Sequence, residues 1–167
     1  MSEIKLVVTA IKYPQNNYFG KLIEAFEGLG WAHVYPAIHW SDGTKSCWNI
    51  AGWFRKWYKT RPEYLDAEPV YIKVKTWEIV VSQEVADKLS ETWDGFIGRG
   101  YGVGRILLLP LYRLTKWEWV ASLAGLTCSG GLARGLDAAD LWQQDVSPGM
   151  SGLKEISAQL DVLKELK

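Results

Sequence analysis

At 167 residues, with 19 basic and 19 acidic side chains and a formal net charge of zero, the chain suits one domain with a substantial core. It lacks the basic excess that nucleic-acid binding draws on, and 48% hydrophobic with 23% charged residues excludes intrinsic disorder. Its cysteines, Cys47 and Cys128, are too few for a disulfide-stapled secreted scaffold, and no CxxC pair suggests a zinc site.

The opening MSEIKLVVTA is a short apolar run without the charged and long apolar regions of a secretory signal. The most apolar stretch, 103–126, is broken by Arg105, Arg113 and Lys116 and contains Pro110, whereas a membrane span needs about 20 mostly apolar residues. The expectation is a soluble, cytoplasmic protein of a reducing compartment, with no nucleic-acid partner and no integral membrane segment. No repeat or linker is visible, so residues 1–167 are read as one domain. The ten Trp and eight Tyr residues fit large rings filling a small core and its rim. They would also fit an aromatic-lined groove for an acyl chain, a sugar or a peptide.

In chain order, residues 4–11 predict a strand rich in β-branched residues, closed by Pro14 and Asn16-Asn17. Asn17 can cap a helix over 18–27, where Leu22, Ile23 and Phe26 fall at helical spacing, and Gly28 and Gly30 end it. Residues 31–40, the turn signal Ser41-Asp42-Gly43 and residues 44–50 read as a β-hairpin. The aromatic, basic stretch 52–64 reads as irregular, and 69–74 and 76–81 as further strand material. Ser82 caps a helix carrying Glu84 in its first turn and Val85, Ala86 and Leu89 on one face. The glycine-rich segment 95–104 reads as a flexible connector, 128–136 as a helix and 153–166 as a closing amphipathic helix. A small antiparallel sheet with helices packed on it gives an α+β fold.

Two features can carry chemistry together. Thr127-Cys128-Ser129-Gly130-Gly131 places a thiol in the first turn of a helix, where unpaired backbone N–H groups and the positive end of the dipole favour thiolate. The same N–H groups can hold an oxyanion. A nucleophilic thiol needs a base, and the histidines are His33 and His39, about 20 Å apart at strand rise, so one of them serves a single site. With a three-residue loop at 41–43, Trp40 pairs with Thr44 and Tyr35 with Asn49. Asn49 then shares the face of His33 one pleat away, while Cys47 pairs with Ala37, further off. A two-residue loop would turn Asn49 to the other face. Asn49 ranks above Cys47 as the group that orients the imidazole.

The order of these segments resembles the circularly permuted branch of the papain-like amidases, relatives of the NlpC-type cell-wall endopeptidases and of lecithin:retinol acyltransferase, in which the histidine precedes the cysteine. Trp31-Ala32-His33-Val34 followed by a strand and an Asp-Gly turn is similar to the family's SHV…GDG hairpin. Gly100-Tyr101-Gly102 is similar to its G-x-x-Y-D stretch, without the aspartate. Thr127-Cys128-Ser129 with Leu132, Ala133 and Leu136 is similar to its CSELVARAL helix, and Val146-Ser147-Pro148 to the SP that opens its last segment. The resemblance implies Cys128 as nucleophile, His33 as base and a polar orienter on the next strand, here Asn49, with Tyr101 and Ser129 at the oxyanion and substrate side. Gly130 stands where an acidic residue often follows the Cys-Ser pair, and Asn49 where Glu or His is frequent; papain-like enzymes also use Asn there.

The implied activity is thiol-dependent hydrolysis or acyl transfer on a peptide, cell-wall or lipid acyl group, with no cofactor or metal required. The alternative is a catalytically silent relative used as a binding or structural module, for which a phage or prophage is one origin. The glycines at 98, 100, 102 and 104 do not follow the GxGxxG spacing and precede no Lys-Ser/Thr pair. Arg55, Lys56, Lys59 and Arg61 among aromatic residues read as a solvated flap beside the cleft rather than a stacking surface. Asp137 and Asp140 near Trp142 read as a solvated helix end.

Overall fold

The computed structural model describes residues 3–13, 18–50, 56–66, 72–100, 102, 114–115, 126–148 and 151–165. Within them the elements run β1 (Lys5–Lys12), α1 (Tyr18–Glu27), β2 (His33–His39), β3 (Lys45–Asn49), β4 (Tyr58–Thr60), α2 (Pro62–Asp66), β5 (Ile72–Val80), α3 (Gln83–Asp94), α4 (Cys128–Ala138) and α5 (Leu153–Glu165). The strands form a five-stranded sheet in the order β4-β3-β2-β1-β5, and every neighbouring pair is antiparallel. The fold is α+β.

Strand alternation divides the sheet into two faces. Leu6, Val8 and Ala10 of β1 lie opposite Ile38, Pro36 and Val34 of β2 and, on the other side, Leu6 and Val8 oppose Ile79 and Trp77 of β5. Most of these side chains pack with Trp48 against Ala86, Leu89 and Trp93 of α3, Leu132 and Leu136 of α4, and Ile156 and Leu160 of α5. This is the main core. Val7, Ile11, Tyr35, Ala37 and Cys47 emerge on the other face and form a smaller cluster with Leu65 of α2. Burial on both faces explains why β1 reads as an almost continuous apolar run.

Five tryptophans, Trp31, Trp48, Trp57, Trp77 and Trp93, are buried; Trp53, Trp117 and Trp119 lie outside the described residues. Two of them pack on α4 where a side chain would otherwise stand. A Cβ built at Gly131 would lie 2.1 Å from Cζ2 of Trp57, and one at Gly135 would lie 2.2 Å from Nε1 of Trp93. The two glycines, one helical turn apart, let two indoles reach the helix backbone, and Trp93 donates its N–H to the Gly131 carbonyl at 3.1 Å.

Two more tryptophans share a second device. Trp48 donates to Asp94 at 2.6 Å with Lys59 over its ring, and Trp77 donates to Asp161 at 2.7 Å with Lys75 over its ring. Each sheet indole thus satisfies its polar edge on a helix carboxylate, and a lysine bonds that carboxylate while covering the ring.

Local chemistry accounts for the element ends. Gly28 closes α1 with φ at 68°, donating to the Glu24 carbonyl at 2.7 Å. The Asn17 cap lies outside the described residues. Ser82 adopts extended dihedrals and its hydroxyl accepts from the Val85 N–H at 3.3 Å, opening α3.

Two expectations are corrected and one is made more definite. Within 52–64, read as irregular, residues 58–60 pair with β3 as β4, and α2 follows at once. The strand material at 69–74 and 76–81 is, where described, the single strand β5, whose register against β1 shifts beside Lys75: Ala10 pairs with Lys75 and the next residue, Ile11, with Lys73. The segment 95–104 is tied down where it is described: Gly98 donates to the Trp57 carbonyl and Trp57 to the Arg99 carbonyl, both at 2.9 Å, and Gly100 bridges Lys56.

Among the described residues no helix is long and apolar enough to cross a membrane, and no group of three or more His, Cys, Asp or Glu side chains could hold a metal ion.

Candidate active site

The hairpin joining β2 to β3 sets the first half of the site. Trp40 donates to the Thr44 carbonyl at 2.9 Å and Gly43 to the Trp40 carbonyl at 3.0 Å, so the loop is the three residues 41–43. Gly43 takes φ of 86°, a left-handed conformation that a side chain resists. Asp42 accepts from both the backbone N–H and the hydroxyl of Thr44, at 2.8 and 2.6 Å. These bonds hold its carboxyl below the ordinary carboxylate value. The resulting register pairs His39 with Lys45 and Ala37 with Cys47, which carries Asn49 to the His33 face.

Oδ1 of Asn49 lies 2.7 Å from Nε2 of His33 in a buried contact. Since Oδ1 accepts only, Nε2 carries a proton, and Nδ1 is the nitrogen left for the thiol. The other end of the amide is also used: Nδ2 donates to the Tyr58 hydroxyl at 2.8 Å, and Asn49 and Tyr58 are direct cross-strand partners. The Tyr13 ring flanks the imidazole at 6.2 Å.

The second half comes from α4. Thr127 is extended, at φ −112° and ψ 173°, and its hydroxyl accepts from the Gly130 N–H at 3.2 Å. That cap begins the helix at Cys128. The Cys128 sulfur is hydrogen-bonded to His33 and receives the backbone N–H groups of Val34 and Ser129.

The electrostatics of the pair pull in opposite senses. Burial favours the neutral thiol, but the His33 charge and hydrogen bond, with those two N–H groups, outweigh it and hold Cys128 below the ordinary thiol value. Burial likewise favours neutral imidazole, yet the Cys128 charge, its hydrogen bond and the bond to Asn49 raise His33 above its ordinary value. Both shifts favour thiolate facing imidazolium. His33 is 2% exposed, Asn49 1% and Cys128 4%, so the pair interacts with little screening by solvent.

His33, Asn49 and Cys128 are therefore together. Ser129 is beside them; its hydroxyl pairs with that of Thr127 at 3.3 Å and its N–H faces the sulfur. Tyr101 lies outside the described residues. Cys47 is fully buried among Val7, Ile11, Tyr35, Ala37 and Leu65, at the far side of Asn49 from His33. His39 stands at the other end of β2, where burial and Lys45 lower its pKa.

Two residues near the site escaped the sequence reading. Tyr58 sits in the segment taken as irregular; the signal available was the strand-forming triplet Tyr58-Lys59-Thr60 ahead of Pro62. Trp57, 2% exposed, covers Gly131 on the first turns of α4, one turn from Cys128, and its buried indole N–H has no hydrogen-bond partner among the described residues. Side chains in a helix lean toward the N-terminus, so the indole occupies the place over residues 127–128 that a side chain at 131 would fill.

In chemical terms the arrangement offers a thiol at a helix N-terminus whose ionisation is favoured, a base beside it, an amide fixing that base, and backbone donors around the sulfur. No family model matches the chain, and no curated protein or solved structure matches it.

Proposed function

We propose that the protein is a thiol-dependent hydrolase or acyltransferase acting on an amide or ester, with the permuted papain-like fold that its motif order resembles. The observation that carries this reading is the imidazole of His33 held between the Cys128 thiol and the Asn49 amide. A structural cysteine needs none of these partners.

In the proposed reaction Nδ1 of His33 takes the Sγ proton, and the thiolate attacks the carbonyl carbon of the substrate. Backbone N–H groups at the start of α4 hold the oxyanion. As the tetrahedral adduct collapses, the bond to the amine or alcohol breaks and the leaving group departs with the proton from Nδ1. A thioester on Cys128 remains. Water or another nucleophile gives its proton to His33 and attacks that thioester, which releases the acyl group and restores the thiol. Asn49 keeps the ring aligned through both transfers. The substrate class is a peptide, a cell-wall amide or a lipid acyl group.

One observation favours a silent binding or structural module instead: at 4% exposure for Cys128 and 2% for His33, a substrate needs an opening to reach the sulfur. Alkylation with iodoacetamide across pH, mapped by mass spectrometry and repeated in His33→Ala, separates the two readings. Labelling of Cys128 near neutral pH that slows without His33 supports the enzyme. Labelling that is slow at neutral pH and indifferent to His33 leaves the silent module.

A further inference from the structure

Resting on the thiol–imidazole reading, we infer that Tyr58 is a positioning residue that holds the Asn49 amide in the one orientation the thiolate–imidazolium pair can use. The Asn49 side chain has an acceptor end and a donor end, and rotation about its last torsion exchanges them. When His33 is an imidazolium, both ring nitrogens carry protons: Nδ1–H faces the sulfur and Nε2–H faces Asn49. Only Oδ1 can meet Nε2–H. That choice turns Nδ2 away from the ring, and at 1% exposure of Asn49 a turned-away Nδ2 needs a protein acceptor. The Tyr58 oxygen supplies it at 2.8 Å.

The strand pairing makes this placement rigid. Asn49 and Tyr58 are directly opposed across β3 and β4, so their side chains stand on one face at neighbouring positions. β4 is held in turn by backbone bonds from Trp57 to Arg99 and from Gly98 to Trp57. The chain of contacts runs from sulfur to imidazole, from imidazole to amide, and from amide to phenol.

Without the phenol oxygen the amide is anchored at one end only. An amide turned over presents Nδ2 to Nε2, which favours the tautomer protonated on Nδ1. That tautomer has no lone pair for the thiol proton. Tyr58 therefore acts through Asn49 and His33 on the ionisation of Cys128, without touching the sulfur.

The test uses the full chain with Tyr58→Phe, which keeps the ring and removes only the oxygen. The readout is the rate of Cys128 alkylation by iodoacetamide across pH. The expected result is a loss of about tenfold near neutral pH, with the rise of the rate displaced to higher pH and the alkaline plateau kept. The same substitution in an Asn49→Ala background is expected to change nothing further.

A purely structural role would lower the melting temperature and leave the position of that rise unmoved. An unmoved rise, or an equal displacement in the Asn49→Ala background, overturns the inference. Because the unsubstituted chain and His33→Ala are measured alongside, the failures separate. If the unsubstituted chain labels only in the ordinary thiol range, the thiol–imidazole reading falls and Tyr58 with it. If it labels near neutral pH and Tyr58→Phe matches it, only the role of Tyr58 falls.

Discussion

Replacing Gly131 by alanine sets two measurable tendencies against each other. Alanine in a helix interior is favoured over glycine by about 1 kcal/mol, so on helix propensity alone the protein would gain stability. The packing says otherwise. The new Cβ would lie 2.1 Å from Cζ2 and 2.4 Å from Cη2 of Trp57, whereas ordinary contact begins at 3.4 Å.

Trp57 has little room to yield. It is 2% exposed, meets Phe96 edge-on at 5.7 Å, and its backbone is bonded on both sides to Arg99 and Gly98. Overpacking of a tight core costs about 1–3 kcal/mol and sometimes more, and an overlap of this size belongs at the upper end. After the propensity gain the net loss is about 2 kcal/mol, a fall of roughly 4–8 °C in melting temperature at this chain length. Calorimetric melts of Gly131→Ala measure it, with Gly100→Ala as control, since a Cβ there meets nothing within 4 Å among the described residues. An unchanged or raised melting temperature in Gly131→Ala would refute the close approach of Trp57 to α4.

Thr127→Ala removes the cap of α4 and is expected to cost about 1 kcal/mol, or roughly 2–4 °C; it also slows Cys128 alkylation, because the first turn carries the thiol. Asp161→Asn is expected to destabilise the protein near neutral pH. Partial burial pushes the Asp161 carboxyl up, but bonds from Lys75 and Trp77 hold it below its ordinary value. A depressed carboxylate stabilises above the unfolded value, about pH 4, and that stability is lost as pH falls through the folded value. Melts from neutral to acid pH should therefore show the gap between wild type and Asp161→Asn closing below about pH 4; a gap constant across that range contradicts the assignment.

Local chemistry was legible where it decides structure by itself. Helix α1 over 18–27 follows from its apolar spacing and the glycine after it, and α3 from the Ser82 cap. The hairpin register follows from the Ser41-Asp42-Gly43 loop, and because parity then fixes which face Asn49 takes, its place beside His33 could be worked out from turn chemistry. What stayed hidden depends on distant partners. Strand β4 is only three residues long and owes its form to β3; its aromatic and basic composition resembles a loop until that partner is known. The gap between 69–74 and 76–81 falls where the ladder with β1 shifts register, from Ala10–Lys75 to Ile11–Lys73, while the strand itself continues. Nothing local in α4 shows what its glycines are for: Gly131 and Gly135 receive Trp57 and Trp93 from residues far away in sequence. Tyr58 was missed because its acceptor role exists only once β3 and β4 are side by side.

The central claim is that Cys128 is ionised by His33 in the resting protein. Ultraviolet thiolate absorbance, titrated against pH in wild type, Cys128→Ser and His33→Ala, tests it without any substrate. The account predicts a thiolate signal that rises below the ordinary thiol range in wild type, disappears in Cys128→Ser and moves to higher pH in His33→Ala. A wild-type signal that rises only in the ordinary thiol range, with His33→Ala unchanged, would contradict it.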